Sequence, residues 1–222
     1  MSYNYIPDNT NRGFIEKLKE ELLINLPGVE AHLLLAPDIR IKDLNAGKLP
    51  EKAFESAVLI LLYPRDGELN TVVILRNEYN GVHSGQISLP GGKRESSDSD
   101  VSFTALREAQ EEIGINPDNL EIIGQLSPFY VMPSNFIIYP FVAYQPTRPL
   151  FVPDPTEVQR VIEIELFKEL HADKIVYRTL TFSNTIQIKA PGFVVDNEFM
   201  WGATAMIFSE LIHILGRISS KH

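Results

Sequence analysis

Arg107, Glu108, Glu111 and Glu112 fall within one stretch, SFTALREAQEEI, residues 102–113. On a helix turning about 100° per residue, with Leu106 as reference, Phe103, Ala109 and Ile113 lie near Leu106. Glu108, Glu111 and Glu112 then lie on the opposite face. A solvated acidic face on an amphipathic helix is the plain reading. Against it, like charges at i, i+3 and i+4 repel by roughly a few tenths of a kcal/mol each, unless a cation sits between them. Hard divalent cations such as Mg²⁺ or Mn²⁺ take oxygen ligands of this kind and bind jointly with substrate phosphates. The helix also follows directly on Gly91-Gly92 and a polar loop, so its carboxylates can face a pocket floored by backbone. Arg107 is spaced to pair with Glu111 one turn on. Gly91-Gly92 by itself is an ordinary turn; its spacing to Arg107 makes it a loop that a phosphate can approach.

The elements that must position these residues are legible around them. Asp100 or Ser102 caps the start of the 102–113 helix, Gly114 fits just past its end, and Pro117 prevents continuation. Upstream, SAVLILLYP reads as a buried strand, Asp66-Gly67 as a turn and TVVILR as the return strand of a hairpin. Residues 77–100 form a long loop, with one short strand at 86–89; loops of this length in compact domains are usually functional. LEIIGQLSPFYV and FIIYPFVAYQ read as strands, and the four prolines in residues 146–155 predict a loop. A strand or short helix follows at 161–170, then strands at TIQIK and GFVV. A closing helix spans 203–215, with Ala205, Phe208, Ile212 and Leu215 on one stripe. At the other end, Phe14, Leu18, Leu22 and Leu23 predict an amphipathic helix over 11–23, followed by irregular structure to Pro50. Strands around one central helix imply an α+β arrangement.

Composition narrows the function classes. With 222 residues, one domain with embellishments is the expectation. The absence of cysteine excludes disulfides, thiolate zinc sites and a cysteine nucleophile, and is compatible with a cytoplasmic protein. His32, His83, His171, His213 and His222 show no paired ligand spacing, which argues against zinc. A net charge of −9 argues against a non-specific nucleic-acid binder, but leaves a nucleotide substrate open, because metal ions neutralise both site and phosphates. No apolar run predicts a membrane span.

LPGGKRESSDSDVSFTALREAQEEIGI resembles the Nudix box, in which a glycine, an acidic residue and an Arg-Glu-x-x-Glu-Glu-x-Gly helix follow at fixed spacing. Arg107 to Gly114 match the helix half and Gly92 the leading glycine. The loop departs from the pattern: Asp98 stands where the family has glutamate, one residue further from Arg107. The coenzyme A pyrophosphatase branch shows the same shift. Pro90-Gly91-Gly92-Lys93-Arg94-Glu95 and Thr104-Ala105-Leu106-Arg107-Glu108-Ala109 resemble its loop and helix, Arg76 and Gly85 fit its upstream element, and Leu89 replaces a phenylalanine there. His83 stands in for a second basic residue. Trp201-Gly202-Ala203-Thr204-Ala205 is similar to the branch's tail.

The resemblance implies an α+β fold of Nudix type, an α/β/α sandwich with a mixed central sheet. It implies one domain over 1–222: a helical extension at 1–50, a core at 55–170 with the box at 92–115, and C-terminal strands and helix at 171–222. It also implies metal-dependent hydrolysis of a nucleoside diphosphate-linked small molecule, coenzyme A or acyl-CoA first, with ADP-ribose or another dinucleotide or nucleotide sugar as the alternative. A non-catalytic nucleotide-binding module is the competing class, although a pure binder has no need of all three glutamates. Glu108, Glu112 and Glu111 become metal ligands for Mg²⁺ or Mn²⁺, with Glu111 a candidate base as well. Arg107 orients the glutamates. Glu157, in PDPTEV, supplies the base or holds the attacking water. Arg76, His83, Gly91 and Gly92 meet the substrate. Neither nucleic acid nor membrane is an expected partner; oligomeric state is left open, a homodimer included.

Overall fold

The structure, a computed structural model, describes residues 8–41, 44, 49–77, 85–182 and 186–219. Its spine is strand β1, Phe54–Arg65. Ala57, Leu59, Leu61 and Tyr63 point into one apolar cluster, whereas Ile60 and Leu62 point into another. That is why VLILLY carries no polar alternation: the strand is covered on both faces. Asp66 and Gly67 both take positive φ (52° and 81°), the geometry of a type I′ turn, and return the chain into β2, Glu68–Arg76. On its other edge β1 pairs in parallel with β7, Phe136–Tyr144, from Phe54↔Phe136 to Leu62↔Tyr144.

Around this spine a mixed sheet of eight strands forms among the described residues. Short β3, Ile87–Ser88, and β8, Val158–Glu165, both pair with β2. β5, Glu121–Gln125, and β6, Phe129–Val131, both pair with β7. β4, Gly91–Lys93, lies antiparallel against residues 56–58 of β1, so the glycine pair read as a loop is a strand. One face of the sheet is covered by helix α3, Val101–Ile113. The other is covered by α1, Asp8–Ile24, and α5, Gly202–Ser219. The expected α/β/α sandwich with a mixed central sheet is therefore observed. None of the helices is long and apolar enough to cross a membrane, among the described residues.

Several expectations are corrected. Leu23 is 82 % exposed, and only Phe14, Leu18 and Leu22 of its proposed stripe are buried. The stretch expected to be irregular contains helix α2, Val29–Leu34. Residues 161–170 are both strand and helix: β8 begins at Val158, and a helical turn α4, Leu166–Glu169, follows it. Residues 186–189 and GFVV belong to one strand, β10, Ile186–Val195, which pairs with β9, Val176–Phe182, and β11, Glu198–Trp201; Thr185, the first residue of the expected TIQIK strand, lies outside the described residues. Pro191 does not break β10.

The N-terminal extension is tied to the sheet by a buried carboxylate. Glu210 of α5 accepts hydrogen bonds from the Gly28 N–H (2.9 Å), the Ser127 N–H (3.1 Å), the Ser127 hydroxyl (2.7 Å) and His32 Nε2 (3.0 Å). Burial by itself would raise its pKa, but the bonds from His32 and Ser127 outweigh burial and leave it lowered. Glu210→Ala strands these donors in the core. Breaking a buried pair by removing one partner costs about 3–5 kcal/mol, so urea denaturation of the variant should show a loss of that order. A loss within about 0.5 kcal/mol, the range of an ordinary surface substitution, would refute the assignment.

Candidate active site

Helix α3 starts and stops where its caps dictate. Asp100 accepts from the Ser102 and Phe103 N–H groups (2.9 Å each), and Gly114, at φ 70°, closes the last turn onto the Gln110 carbonyl. The face it buries differs from the one the wheel assigned. Ala105, Ala109 and Ile113 are fully buried and Glu112 is 2 % exposed, whereas Phe103 is 47 % exposed. The contact face is thus centred near Ala105, about one residue's turn (~100°) from Leu106. Small alanines let the helix lie close against β1 and β4, and this rotation carries Glu112 beneath the helix instead of out to solvent.

Glu112 is held there by two donors. The Gly91 N–H donates to Oε2 (2.8 Å) and Arg76 Nη1 donates to Oε1 (3.1 Å). Burial pushes its carboxyl up to about 7, against the pull of the Gly91 N–H and Arg76, and Glu108 and Glu157 push it further up. Glu108 is also raised, first by burial, with Arg107 opposing and Glu111 and Glu157 adding to it. Its carboxylate lies against Gly92, so closely that a Cβ at 92 would collide with it. Gly91 is equally constrained: with φ 152°, a Cβ there would strike the Ala57 carbonyl.

Arg107 joins the loop to the helix. Its Nε and Nη2 donate to the two oxygens of Asp98 (2.9 and 3.1 Å), Nη2 also to the Lys93 carbonyl (3.2 Å), and Nη1 meets Glu108 and Glu111 (2.9 Å each). Asp98 further accepts from the Glu95 N–H and the Thr104 hydroxyl (2.9 Å each). The Arg107 guanidinium holds Asp98 well below the usual carboxylate range, and Asp98 in turn raises Arg107. Sequence reasoning left Asp98 without a role. Its signal was the acidic residue preceding an arginine across a helix N-cap, and its shifted spacing still reaches Arg107.

Among the expected site residues, Arg76, Gly91, Gly92, Arg107, Glu108 and Glu112 meet in one place. Exposed Glu157 comes from the far side of the proline-rich loop, close enough to act on both buried Glu112 and half-buried Glu108. Glu111 stands apart, 59 % exposed on Arg107. His83 lies outside the described residues. No three acidic, histidine or cysteine side chains converge on a ready-made metal cage among the described residues. The donor set nonetheless fits Mg²⁺ or Mn²⁺: two hard carboxylates, pushed up by burial and by neighbouring carboxylates, lie against a glycine strand whose missing side chains let them approach the backbone. Mg²⁺ in particular is usually bound by one or two carboxylates together with substrate phosphates. Finally, Thr204 at the start of α5 donates to the Ile87 carbonyl (3.3 Å), bringing the Trp-Gly-Ala-Thr-Ala segment against β3, from which the chain runs on to the glycines.

Comparison with known proteins agrees with this fold. The family model described as the NUDIX domain matches residues 53–180. Nudix hydrolase 22, chloroplastic, of Arabidopsis thaliana is 40 % identical over 121 residues, 51 % of this chain and 37 % of that protein. The peroxisomal coenzyme A diphosphatase NUDT7 of Mus musculus is 33 % identical over 127 residues, 57 % of this chain and 53 % of its own length. The chain thus matches only about a third to a half of these relatives. In fold, it is similar to a MutT/nudix family protein from Enterococcus faecalis, with a TM-score of 0.50 at 17 % identity, covering 79 % of this chain and 68 % of that one.

The elevated Glu112 carboxyl has a consequence for stability in chelator. A folded pKa near 7 against an ordinary 4.5 means that the fold favours the protonated form. That contribution is full below about pH 4.5 and is lost as pH rises through about 7. Glu112→Gln mimics the protonated carboxyl, so it should gain on the wild type between pH 5 and pH 8 by about 1–3 kcal/mol. Urea midpoints at the two pH values measure this, and a constant gap would refute it.

Proposed function

The chain belongs to the NUDIX domain family, and on that premise we propose that it hydrolyses a phosphoanhydride bond in a nucleoside diphosphate-linked substrate, with divalent cation. One observation carries this reading: buried Glu112 and half-buried Glu108 lie against Gly91 and Gly92, with Glu157 near them on another loop. Phosphoanhydride cleavage requires charge neutralisation, a directed water and in-line geometry. Glu108 and Glu112 would hold Mg²⁺ or Mn²⁺, with Glu111 at the edge of the set, and the cation would neutralise phosphate charge and acidify a water.

The remaining work falls to the chain's own residues. Gly92 lets the Glu108 carboxylate lie against β4, since any side chain there would displace it. Arg107, clamped by Asp98, keeps Glu108 and Glu111 in register. Arg76 is one-quarter exposed, so its guanidinium can hold Glu112 and still face a phosphate. Glu157 accepts the proton of the attacking water, because carboxylates that hold a cation are poor bases. The substrate we favour is coenzyme A or an acyl derivative, cut to 3′,5′-ADP and 4′-phosphopantetheine. Support comes from the loop length between Asp98 and Arg107, the Trp201–Ala205 segment, and the mouse relative named as a coenzyme A diphosphatase.

Incubation of the purified chain with Mg²⁺ or Mn²⁺ and coenzyme A should release 3′,5′-ADP, read by mass spectrometry. Excess chelator should abolish release, and Glu112→Gln should lower it at least about a hundredfold, as loss of several kcal/mol of charge stabilisation requires. Much faster turnover of ADP-ribose or a dinucleoside polyphosphate would overturn the substrate, and hydrolysis unaffected by chelator would overturn the site.

Glu157→Gln should lower kcat by about 10²–10⁴, the range of general-base catalysis, with little change in the Mg²⁺ concentration giving half activity. Glu111→Gln serves as the comparison. A large loss there and none at Glu157 would move the base to Glu111.

A further inference from the structure

Glu157 lies in a turn between the proline-rich loop and β8, yet that turn is anchored on two sides. On the helix side, the Val152 N–H donates to the Ile113 carbonyl (2.9 Å) and the Asp154 N–H to the Glu112 carbonyl (3.0 Å), satisfying acceptors that the end of α3 leaves open. On the sheet side, Asn77 directly follows Arg76. Its N–H donates to the Glu157 carbonyl (3.0 Å) and its Nδ2 to the Pro155 carbonyl (2.8 Å). Both anchors are therefore attached to the Arg76–Glu112 pair.

Between the anchors, the Asp154 side chain folds the turn. Its Oδ1 accepts from both the N–H and the hydroxyl of Thr156 (2.8 Å each), an Asx turn. Its carbonyl accepts from the Glu157 and Val158 N–H groups (3.2 and 2.9 Å). One residue thus spans from the backbone of Glu112 to the backbone of Glu157. We infer that Asp154 is a positioning residue, fixing the Glu157 carboxylate relative to Glu108 and Glu112; this rests on Glu157 being the base proposed above.

Asp154→Ala removes the Oδ1 acceptor and leaves every main-chain bond available, whereas Asp154→Asn keeps the acceptor. With coenzyme A and Mg²⁺, Asp154→Ala should lower kcat by about 10- to 100-fold, as misplacement of a reacting group by about an ångström does, and leave KM unchanged. Asp154→Asn should recover most of that rate. The decisive reading is coupling: Asp154→Ala should add nothing to Glu157→Gln, whereas damage unrelated to Glu157 would multiply with it. If Asp154→Ala does not fold, Asn77→Ala, which frees the Pro155 carbonyl from the opposite side, should show the same coupled loss. A large loss in Glu157→Gln with unchanged or independent kcat in the positioning variants overturns the inference. An unchanged kcat in Glu157→Gln itself overturns the assignment of the base instead.

Discussion

Between β1 and the Glu108 carboxylate there is no space for a side chain, and the arrangement of the site follows from that spacing. Gly91 lies against the Ala57 carbonyl and Gly92 against Glu108. An alanine at either position would have to push the helix off the sheet or displace a carboxylate. Because the two glycines admit close approach, α3 packs through Ala105 and Ala109, Glu112 passes beneath the helix, and the Gly91 N–H becomes its hydrogen-bond donor. Bringing backbone, carboxylates and a cation-compatible surface together in this way needs small residues on both sides of the contact.

The same closeness concentrates negative charge, and two arginines distribute it. Arg76 faces Glu112, and Arg107 faces Asp98, Glu108 and Glu111. These contacts differ in weight. The Arg107–Glu111 pair is an exposed i, i+4 bridge of the kind worth about 0.3–0.5 kcal/mol. Asp98 has a side chain fully out of solvent, and stranding a buried partner costs about 3–5 kcal/mol. Arg107 is therefore above all the partner of Asp98, and its hold on the glutamates is set by that clamp. With four carboxylates against two guanidiniums, the cluster retains a negative balance of the kind that a divalent cation relieves.

The proline-rich loop contributes through its backbone. Prolines 149, 153 and 155 restrict its path, while the N–H groups of Val152 and Asp154 reach the last carbonyls of α3. The helix end is thereby satisfied, and β8 begins beside the site. Near the opposite end of β1, Arg148 and Tyr63 both bond Glu163, fastening the start of the same loop to the sheet. A loop held at both ends presents Glu157 on a defined path.

Much of this was legible in the chain itself, wherever local chemistry decides. The apolar run of β1, the Asp66-Gly67 turn, the Asp100 and Gly114 caps and the spacing from Gly92 to Glu112 are properties of neighbouring residues, so they survive reading in isolation. What the wheel could not supply was the rotation of α3. Hydrophobicity points to Leu106 and Phe103, yet closest packing follows the small Ala105 and Ala109, which are small enough to meet the glycine strand. The two halves of β10, the clamp between Asp98 and Arg107, and the seating of residues 152–157 on the end of α3 likewise depend on partners distant in sequence. Hydrogen bonds and close approach between such partners exist only once the sheet has formed, so the burial of Glu112 and the placement of Glu157 belong to the tertiary structure.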